Sequence, residues 1–372
     1  MPSSLHFQVK GLFLPMRITF KQASSVRNHG ESVWCEVHRD GISGCGEGCP
    51  RIYVTNETVD SALEWINEKL PEIQKECITI HLLKSWMVEN RMEIDEHPAA
   101  FCAIETALLD LFSKEKNVGV EKFLGWDNAK KLYHYTGVLS DGGEEKFIAH
   151  SQRFLQGGFT DFKIKVNGDI AVDQKKFKLL FDLAEKINVP DLRIRLDANN
   201  LWKDEPEKAI DFLSKIETPI FGIEEPVAPK DYQMLSKISR ALDLPIILDE
   251  SLCNLSDLKQ LDQFPGKYIL NLKVSRVGGL LRSLEMIEEF KKRNHQIIIG
   301  AHVGETSILT RAGMCAAQAA AGNLASHEGG FGLLLLENEP VAPSLMFGAK
   351  GQIDLATING NWSYGWGLKI KS

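Results

Sequence analysis

The sequence lacks the features that would place the protein in a membrane or in a disulfide-bonded scaffold. No apolar run approaches the roughly 18 residues that can span a bilayer. The stretch "MPSSLHFQVKGLFLPMRI" carries no basic segment ahead of a long apolar run, as a signal peptide would. The seven cysteines are an odd number, are scattered, and form no C-x-x-C motif. These absences predict a cytoplasmic protein with reduced thiols and argue against a zinc site.

An excess of positive charge is also missing. The chain has 43 Lys and Arg residues against 50 Asp and Glu, a net charge of -7. This balance argues against a nucleic acid or an anionic membrane surface as the main partner. The glycine-rich stretch "GISGCGEG" (41–48) has neither G-x-G-x-x-G nor P-loop spacing, so it is predicted to be a turn between strands.

What is present divides the chain into three parts. Residues 1–127 mix alternating stretches such as "SVWCEVHRDG" with helix-period stretches, which predicts an α+β domain. In residues 128–342, eight short runs rich in branched residues alternate with amphipathic segments, a pattern typical of a parallel (β/α) barrel. Residues 343–372 return to strand-like and turn-rich sequence. With 372 residues, the chain is long enough for a large barrel with an appended domain.

Ionisable residues stand at the ends of five successive predicted strands. Lys165 ends the second, Asp197 the third, Glu224 the fourth, Asp249 the fifth and Lys273 the sixth. In a barrel of this kind the carboxyl ends of all strands meet at one mouth, where active sites lie. The sequence therefore predicts that these five side chains gather at one rim.

Each of the three acids taken alone has a simple structural interpretation, as the cap of a turn or a helix. Three carboxylates held together repel one another, however, and a cation is expected to compensate them. Oxygen ligands of this type suit Mg²⁺ better than Zn²⁺. With the metal ligands on the strands between them, Lys165 and Lys273 would lie on opposite sides of a bound substrate, the geometry for moving a proton at a carbon flanked from both faces.

Lys163 lies two residues before Lys165 in "GFTDFKIKVNG". On a strand these side chains share one face and are separated by roughly 6.6 Å. An isolated K-x-K most simply indicates a solvated edge strand. At an effective dielectric of about 20, however, Lys163 would disfavour a charge on Lys165 by roughly 2.5 kcal/mol, close to two pKa units. The pair therefore also predicts a lysine made available as a base.

Five motifs in this region resemble those of the mandelate racemase and muconate lactonizing enzyme branch of the enolase superfamily. In this sequence they are "KIK" (163–165), "DAN" (197–199), "EEP" (224–226), "DES" (249–251) and "KVSRVGG" (273–279). The resemblance extends to the front of the chain, where "GEGCPRIYVTNET" (46–58) is similar to the family's capping-domain loop.

The resemblance implies a (β/α)7β TIM-type barrel with an α+β capping domain built from the N-terminal region and the C-terminal tail. It implies one Mg²⁺ bound by Asp197, Glu224 and Asp249, which in turn binds a small-molecule carboxylate substrate. Lys163 would help to hold that carboxylate, with Lys165 and Lys273 as acid and base. The chain has a lysine rather than an aspartate on the sixth strand, and in this it resembles the muconate-cycloisomerase-like subgroup. The family is often oligomeric, so a homo-oligomer is an open expectation.

Further residues near the predicted mouth are expected to support the site or to select the substrate: Asn199, Glu250, His302, Glu305, His327, Glu328, Arg51 and Tyr53. In the dipeptide epimerases of the subgroup, a D-x-D after the eighth strand holds the substrate ammonium. This chain has "SHEGG" (326–330) there instead, in which Glu328 is the candidate for a cationic group.

The expected reaction is Mg²⁺-dependent removal of the proton α to a carboxylate through an enediolate. A racemase or epimerase of an amino-acid derivative or dipeptide-like substrate is favoured. A syn-dehydratase or a cycloisomerase, similar to o-succinylbenzoate synthase or muconate cycloisomerase, would use the same site. Two alternatives of other classes are a Schiff-base lyase that uses Lys273 and a non-catalytic barrel stabilised by the metal.

Overall fold

The N-terminal part of the chain forms an antiparallel sheet. The structure is a computed structural model and describes residues 4–22, 25–127, 130–140 and 143–371. The sheet consists of β1 (His6–Gln22), β2 (Ser25–Arg39) and β3 (Ile42–Gly48), in that order. Five helices follow: α1 (Val59–Glu76), α2 (Ile80–Glu89), α3 (Arg91–Glu96), α4 (Pro98–Glu115) and α5 (Val120–Phe123). This is the predicted α+β capping domain.

All of β3 lies within the glycine cluster at 41–48, so the predicted turn is wrong beyond residue 41. A Cβ added at Gly44, Gly46 or Gly48 would lie 2.3, 2.2 or 1.8 Å from a carbonyl oxygen of α4. The glycines are therefore needed because the helix backbone packs directly on this strand. All seven cysteines are free, and six of them are buried.

Eight parallel strands follow in the order of the chain. After β4 (Leu132–His134) they are β5 (Gly137–Leu139), β6 (Asp161–Lys165), β7 (Arg193–Asp197), β8 (Ile223–Glu224), β9 (Ile246–Leu248), β10 (Tyr268–Lys273), β11 (Gln296–Gly300) and β12 (Leu324–His327). The backbone N–H of Thr136, just before β5, donates to the carbonyl oxygen of His327 at 2.8 Å, which joins the first strand to the last.

One helix lies between each pair of successive barrel strands. These are α6 (Glu144–Gln156), α7 (Ile170–Lys186), α8 (Pro206–Ser214), α9 (Tyr232–Leu242), α10 (Leu255–Leu261), α11 (Leu280–Lys292) and α12 (Ser307–Ala319). The predicted (β/α)7β architecture is confirmed. Inside the barrel, Ile247, Ile269 and Ile298 form a small apolar cluster of their own. Because inward-facing residues recur every second position, polar side chains two residues further along lie above this cluster.

The segment after β12 returns to the capping domain. It contains two 3₁₀ turns (Gly332–Leu334 and Ala349–Gly351) and three short strands, β13 (Val341–Ala342), β14 (Gln352–Asp354) and β15 (Lys369–Ile370). β14 pairs with β4, and β13 with β15. Trp366 is fully buried; its backbone N–H donates to Asp110 Oδ1 at 2.8 Å and its indole N–H to the carbonyl of Thr106 at 3.1 Å, both on α4. The domain limits at residues 127 and 342 stay a prediction.

Two buried glutamates of the capping domain cap helices of the barrel. Glu105 on α4 accepts hydrogen bonds from the backbone N–H groups of Leu280 (3.1 Å) and Leu281 (2.6 Å) at the start of α11. Glu47 on β3 accepts from the N–H and hydroxyl groups of Thr306, which precedes α12. A carboxylate at a helix N-terminus satisfies free N–H groups and complements the helix dipole. These contacts seat the cap on the barrel face that carries the strand ends. Within the described ranges, no helix is both long and apolar enough to cross a membrane.

Candidate active site

The barrel register brings the five predicted strand-end residues to one level. Lys165 lies opposite Asp197 on the neighbouring strand, and Asp197 lies opposite Glu224. Asp249 directly follows β9, and Lys273 is the last residue of β10. The structure therefore places all five at one end of the barrel, with the lysines on β6 and β10 and the acids on the strands between them.

Lys163 is a buried cation surrounded by acids. Its Nζ lies 3.0 Å from Glu328 Oε2, 3.3 Å from Glu224 Oε1 and 3.7 Å from Asp197 Oδ2. Burial alone would lower the pKa of this lysine, but the surrounding carboxylates raise it well above its ordinary value. Lys163 therefore carries a positive charge at neutral pH.

Lys165 shares Asp197 Oδ2 with Lys163 and also contacts Asn199. Its Nζ donates to Asn199 Oδ1 at 2.7 Å and lies 3.7 Å from Asp197 Oδ2. Asn199 has a positive φ of 45°, a conformation that asparagine tolerates better than most residues. The D-x-N motif thus places both of its side chains within reach of the same lysine.

Lys273 is paired with Asp249. Its Nζ lies 2.7 Å from Asp249 Oδ2, and Arg276 binds the other oxygen of that carboxylate. Burial opposes the charge on both partners, but Asp249 raises the pKa of Lys273, while Lys273 and Arg276 hold the pKa of Asp249 below its usual range. Both groups are ionised in this arrangement.

The pKa of Glu224 shows how the charged groups at the mouth act on one another. Burial and, to a smaller extent, the neighbouring acids Asp197, Glu328 and Asp249 raise its pKa to about 8, although Lys163 lowers it. The anionic form of Glu224 is thus disfavoured by the neighbouring carboxylates, and a divalent ion with oxygen ligands would relieve this repulsion. In the part of the chain that the structure describes, no three His, Cys, Asp or Glu side chains are arranged as a ready metal site. The three acids turn instead toward lysines and Arg276, and this orientation does not form a metal site. Their carboxylate oxygens are nevertheless the type of ligand that suits Mg²⁺.

Arg195 is a residue that sequence reasoning missed. It is fully buried on β7, and its guanidinium donates to Glu328 Oε1 at 2.6 Å and to Asp161 Oδ1 at 2.8 Å. Burial opposes ionisation of Glu328, but Lys163 and Arg195 lower its pKa to about 2. The spacing in "RIRLD" is the signal that was available, since Arg195 lies two residues before Asp197, as Lys163 does before Lys165.

The loop after β11 lies beside Lys273. The backbone N–H of His302 donates to Glu305 Oε1 at 2.6 Å. Burial, with Lys273 and Arg51 nearby, holds the pKa of His302 well below its usual value, so its ring is neutral. Burial also raises the pKa of Glu305 to about 8.

Arg51 donates to the carbonyls of Glu31, Pro50 and Val303 at 2.9, 2.6 and 2.7 Å, which ties the cap loop to this barrel loop.

Three predicted residues lie apart from this cluster or at its edge. Tyr53, 39% exposed, and Glu250 line a cavity of about 390 Å³ between the cap and the barrel. Burial and Asp249 raise the pKa of Glu250 to about 7.

The ring of His327 stacks on Tyr135 with centroids 4.3 Å apart, while its neighbours Ser326 and Glu328 bond to Arg195 inside the barrel. His327 therefore faces away from the mouth.

A capped (β/α)7β barrel with acids on three successive strand ends and a lysine on either side defines the class of the protein. Residues 146–367 match the family described as Enolase C-terminal domain-like. The chain belongs to this family, and the predicted membership of the mandelate racemase and muconate lactonizing enzyme branch of the enolase superfamily is confirmed.

Curated relatives and solved structures are similar over most of the chain. An N-succinyl-L-Arg/Lys racemase of Bacillus cereus is 25% identical over 303 residues, which cover 81% of this chain and 80% of the racemase. A hydrophobic dipeptide epimerase of Enterococcus faecalis is 26% identical over 366 residues, 95% of this chain and 97% of the epimerase. The crystal structure of a dipeptide epimerase from Enterococcus faecalis with Mg and L-Leu-L-Tyr superposes with a TM-score of 0.79 at 24% identity, covering 99% of this chain and 100% of that one.

Proposed function

We propose that this protein is a racemase or epimerase that removes and returns the proton α to a carboxylate in an amino-acid derivative or dipeptide-like substrate. One observation carries the proposal: Lys165 on β6 and Lys273 on β10 lie on either side of the acid-bearing strand ends. The activities of the similar curated proteins, an N-succinyl amino-acid racemase and a dipeptide epimerase, support it.

In this proposal Asp197, Glu224 and Asp249 hold one Mg²⁺. When bound, the ion supplies positive charge that stabilises the oxygens of an enediolate as negative charge develops on them. The oxygen-only donor set and the neighbouring carboxylates that raise the pKa of Glu224 support this assignment. Asp249 would exchange Lys273 for the ion, and Glu224 would turn from Lys163.

The three lysines then have different roles. One of Lys165 and Lys273 removes the α-proton, and the other delivers a proton to the opposite face, which inverts the carbon. Lys163 keeps Glu328 at 3.0 Å when Glu224 turns away, and this carboxylate still raises its pKa. Lys163 is therefore suited to stabilise the negative charge rather than to act as a base. Which outer lysine acts as the base depends on which stereoisomer is bound.

The surroundings of Glu328 narrow the proposed substrate class. Both carboxylate oxygens of Glu328 are already bound, one by Lys163 and the other by Arg195. A substrate ammonium at the end of β12 would have to compete with two buried cations for this carboxylate. The arrangement favours an N-acylated amino acid, whose nitrogen is uncharged, over a dipeptide with a free amino group.

The test is incubation of N-acyl amino acids, dipeptides and hydroxy acids with the protein and MgCl₂ in D₂O, with deuterium uptake measured by mass spectrometry. Wild type is expected to exchange the α-proton of both stereoisomers of its substrate, fastest among N-acyl amino acids. Lys165→Ala and Lys273→Ala should each lose exchange of one stereoisomer by at least about 100-fold, in the range that general acid and base groups contribute.

Lys175→Ala is the matched control, because this lysine is exposed on α7 and pairs only with Glu144 among the described side chains. It should exchange like wild type. Absence of exchange from every substrate, or equal loss of both stereoisomers in each lysine variant, would contradict the proposal. A borohydride-trapped adduct on Lys273 with activity insensitive to EDTA would instead support the Schiff-base lyase.

A further inference from the structure

Gly300 packs directly against the side chains of Lys273 and Asn271. Strand register pairs Lys273 of β10 with Gly300 of β11. A Cβ added at Gly300 would lie 3.0 Å from both Cγ and Cε of Lys273, and 2.2 Å from Oδ1 of Asn271. Gly300 does not have a positive φ, so the backbone alone would accept another residue. Glycine is required here because any larger residue would clash with the lysine and asparagine side chains.

Asn271 carries an unsatisfied acceptor beside Gly300. It is fully buried and lies two residues before Lys273, so both side chains point into the barrel. Its Nδ2 donates to Glu224 Oε1 at 3.4 Å, while Oδ1 has no hydrogen-bond partner among the residues that the structure describes. The opposite amide orientation would set Oδ1 against the Glu224 carboxylate. A buried amide oxygen left unpaired destabilises the folded protein, so a hydrogen-bond donor is expected to approach it.

The nearby donor is the Lys273 ammonium, which now binds Asp249 at 2.7 Å. Lys273 Cε and Asn271 Oδ1 both border the space at Gly300, so rotation about the last bonds of the lysine side chain brings Nζ toward Oδ1. In the proposed reaction Lys273 must leave Asp249 and present its Nζ to the substrate. A flexible lysine with no acceptor in its new position would be poorly oriented for proton transfer.

We propose that Asn271 and Gly300 are positioning residues for Lys273. The amide oxygen of Asn271 accepts a hydrogen bond from the lysine once it turns from Asp249 toward the substrate, and Gly300 leaves both side chains free of the Cβ that would clash with them. This inference rests on the racemase or epimerase activity proposed above. It concerns only one of the two proton-transfer groups, since Lys165 lies across the mouth beside Asn199.

The activity test uses Asn271→Leu, which removes the acceptor at similar volume, and Gly300→Ala, which sets a methyl group against the Asn271 and Lys273 side chains. Exchange is measured separately from each stereoisomer of a substrate that wild type racemises. The stereoisomer whose exchange is abolished in Lys273→Ala is the one from which Lys273 removes the proton. Its rate of exchange should fall more than tenfold in Asn271→Leu and in Gly300→Ala. The rate of exchange of the other stereoisomer, from which Lys165 removes the proton, should change less than threefold. Gly348→Ala, where the nearest atom is 3.9 Å away, is the control and should match wild type.

Folded variants that lose both exchanges equally, or neither, would overturn the proposal, because a general structural defect has no stereochemical preference. A second measurement is independent of activity. A crystal structure of the wild-type protein grown with MgCl₂ should show Lys273 Nζ within hydrogen-bond distance of Asn271 Oδ1. A Lys273 that stays on Asp249, or turns to another acceptor, would refute the positioning role even if no substrate had been found. Absence of exchange in wild type with that contact present would instead refute the proposed function alone.

Discussion

At the scale of single residues, the acids at the mouth are held by cations of the protein itself. Asp249 lies between Lys273 and Arg276, and Glu224 lies against Lys163. A divalent ion would have to replace these contacts, and the neighbouring lysines would then be released from their acids. Metal binding and lysine placement are therefore coupled in the proposed site.

This coupling predicts a Mg²⁺-dependent stability. A ligand that binds only the folded state stabilises it by about 2.7 kcal/mol at a hundred times its Kd, so MgCl₂ should raise the Tm of the EDTA-treated wild-type protein by a few degrees. Asp197→Asn and Asp249→Asn should each lose most of this rise in differential scanning fluorimetry. Asp211→Asn, an exposed acid on α8, should keep it. A full rise in the Asp197 and Asp249 variants would place the ion elsewhere.

The strand-end acids could be predicted because each closes a recognisable motif at barrel spacing. Arg195 and Asn271 were missed, although each lies two residues before a predicted site residue and so shares its inward face. Gly300 could not be found in this way. Its importance depends on pairing with Lys273 across two strands, and register between strands is not encoded in the local pattern of either one.

At the scale of elements, the contact between β3 and α4 shows where local patterns mislead. Glycines at 44, 46 and 48 resemble a turn because turns are rich in glycine. In the structure they lie on one face of a strand, and α4 packs against their bare backbone. The signal was the two-residue spacing of the glycines, which matches the period of a strand rather than that of a turn.

Gly46→Ala is therefore expected to destabilise the protein. The new Cβ would lie 2.2 Å from the carbonyl oxygen of Ala103, and relief of such a clash in a packed core costs typically 1–3 kcal/mol. The measurement is the midpoint of urea unfolding. Gly313→Ala on α12 is the control, because its nearest neighbour would be an ordinary 3.6 Å away and alanine favours a helix. Equal midpoints for Gly46→Ala and wild type would show that β3 and α4 can separate without loss of stability.

At the scale of the whole molecule, the capping domain is joined to the barrel through buried acids. Burial raises the pKa of Glu105 to about 7, although the N–H groups of Leu281 and Leu280 lower it. In the unfolded chain this pKa is near 4.3. Between these values the folded state keeps a proton that the unfolded state has lost, so the free energy of unfolding falls as pH rises. Burial raises the pKa of Glu57 and Glu339 in the same direction.

Wild-type Tm is thus expected to fall as pH is raised from about 5 to about 7.5, and Glu105→Gln should show a shallower fall over the same range. At low pH the variant should be less stable than wild type by roughly 1 kcal/mol, since its amide cannot accept from both N–H groups. Scanning calorimetry at closely spaced pH values measures both effects. A variant whose Tm runs parallel to wild type throughout would show that Glu105 does not bind a proton in this range.

The anchoring of Trp366 on α4 has a consequence for synthesis of the chain. Asp110 is translated 256 residues before the backbone N–H that it accepts from Trp366. While the ribosome is still producing the barrel, the pocket on α4 that Trp366 will fill stays open, and the capping domain remains incomplete. Its final closure therefore waits until the barrel has emerged, so that the oldest part of the nascent protein is among the last to reach its native packing.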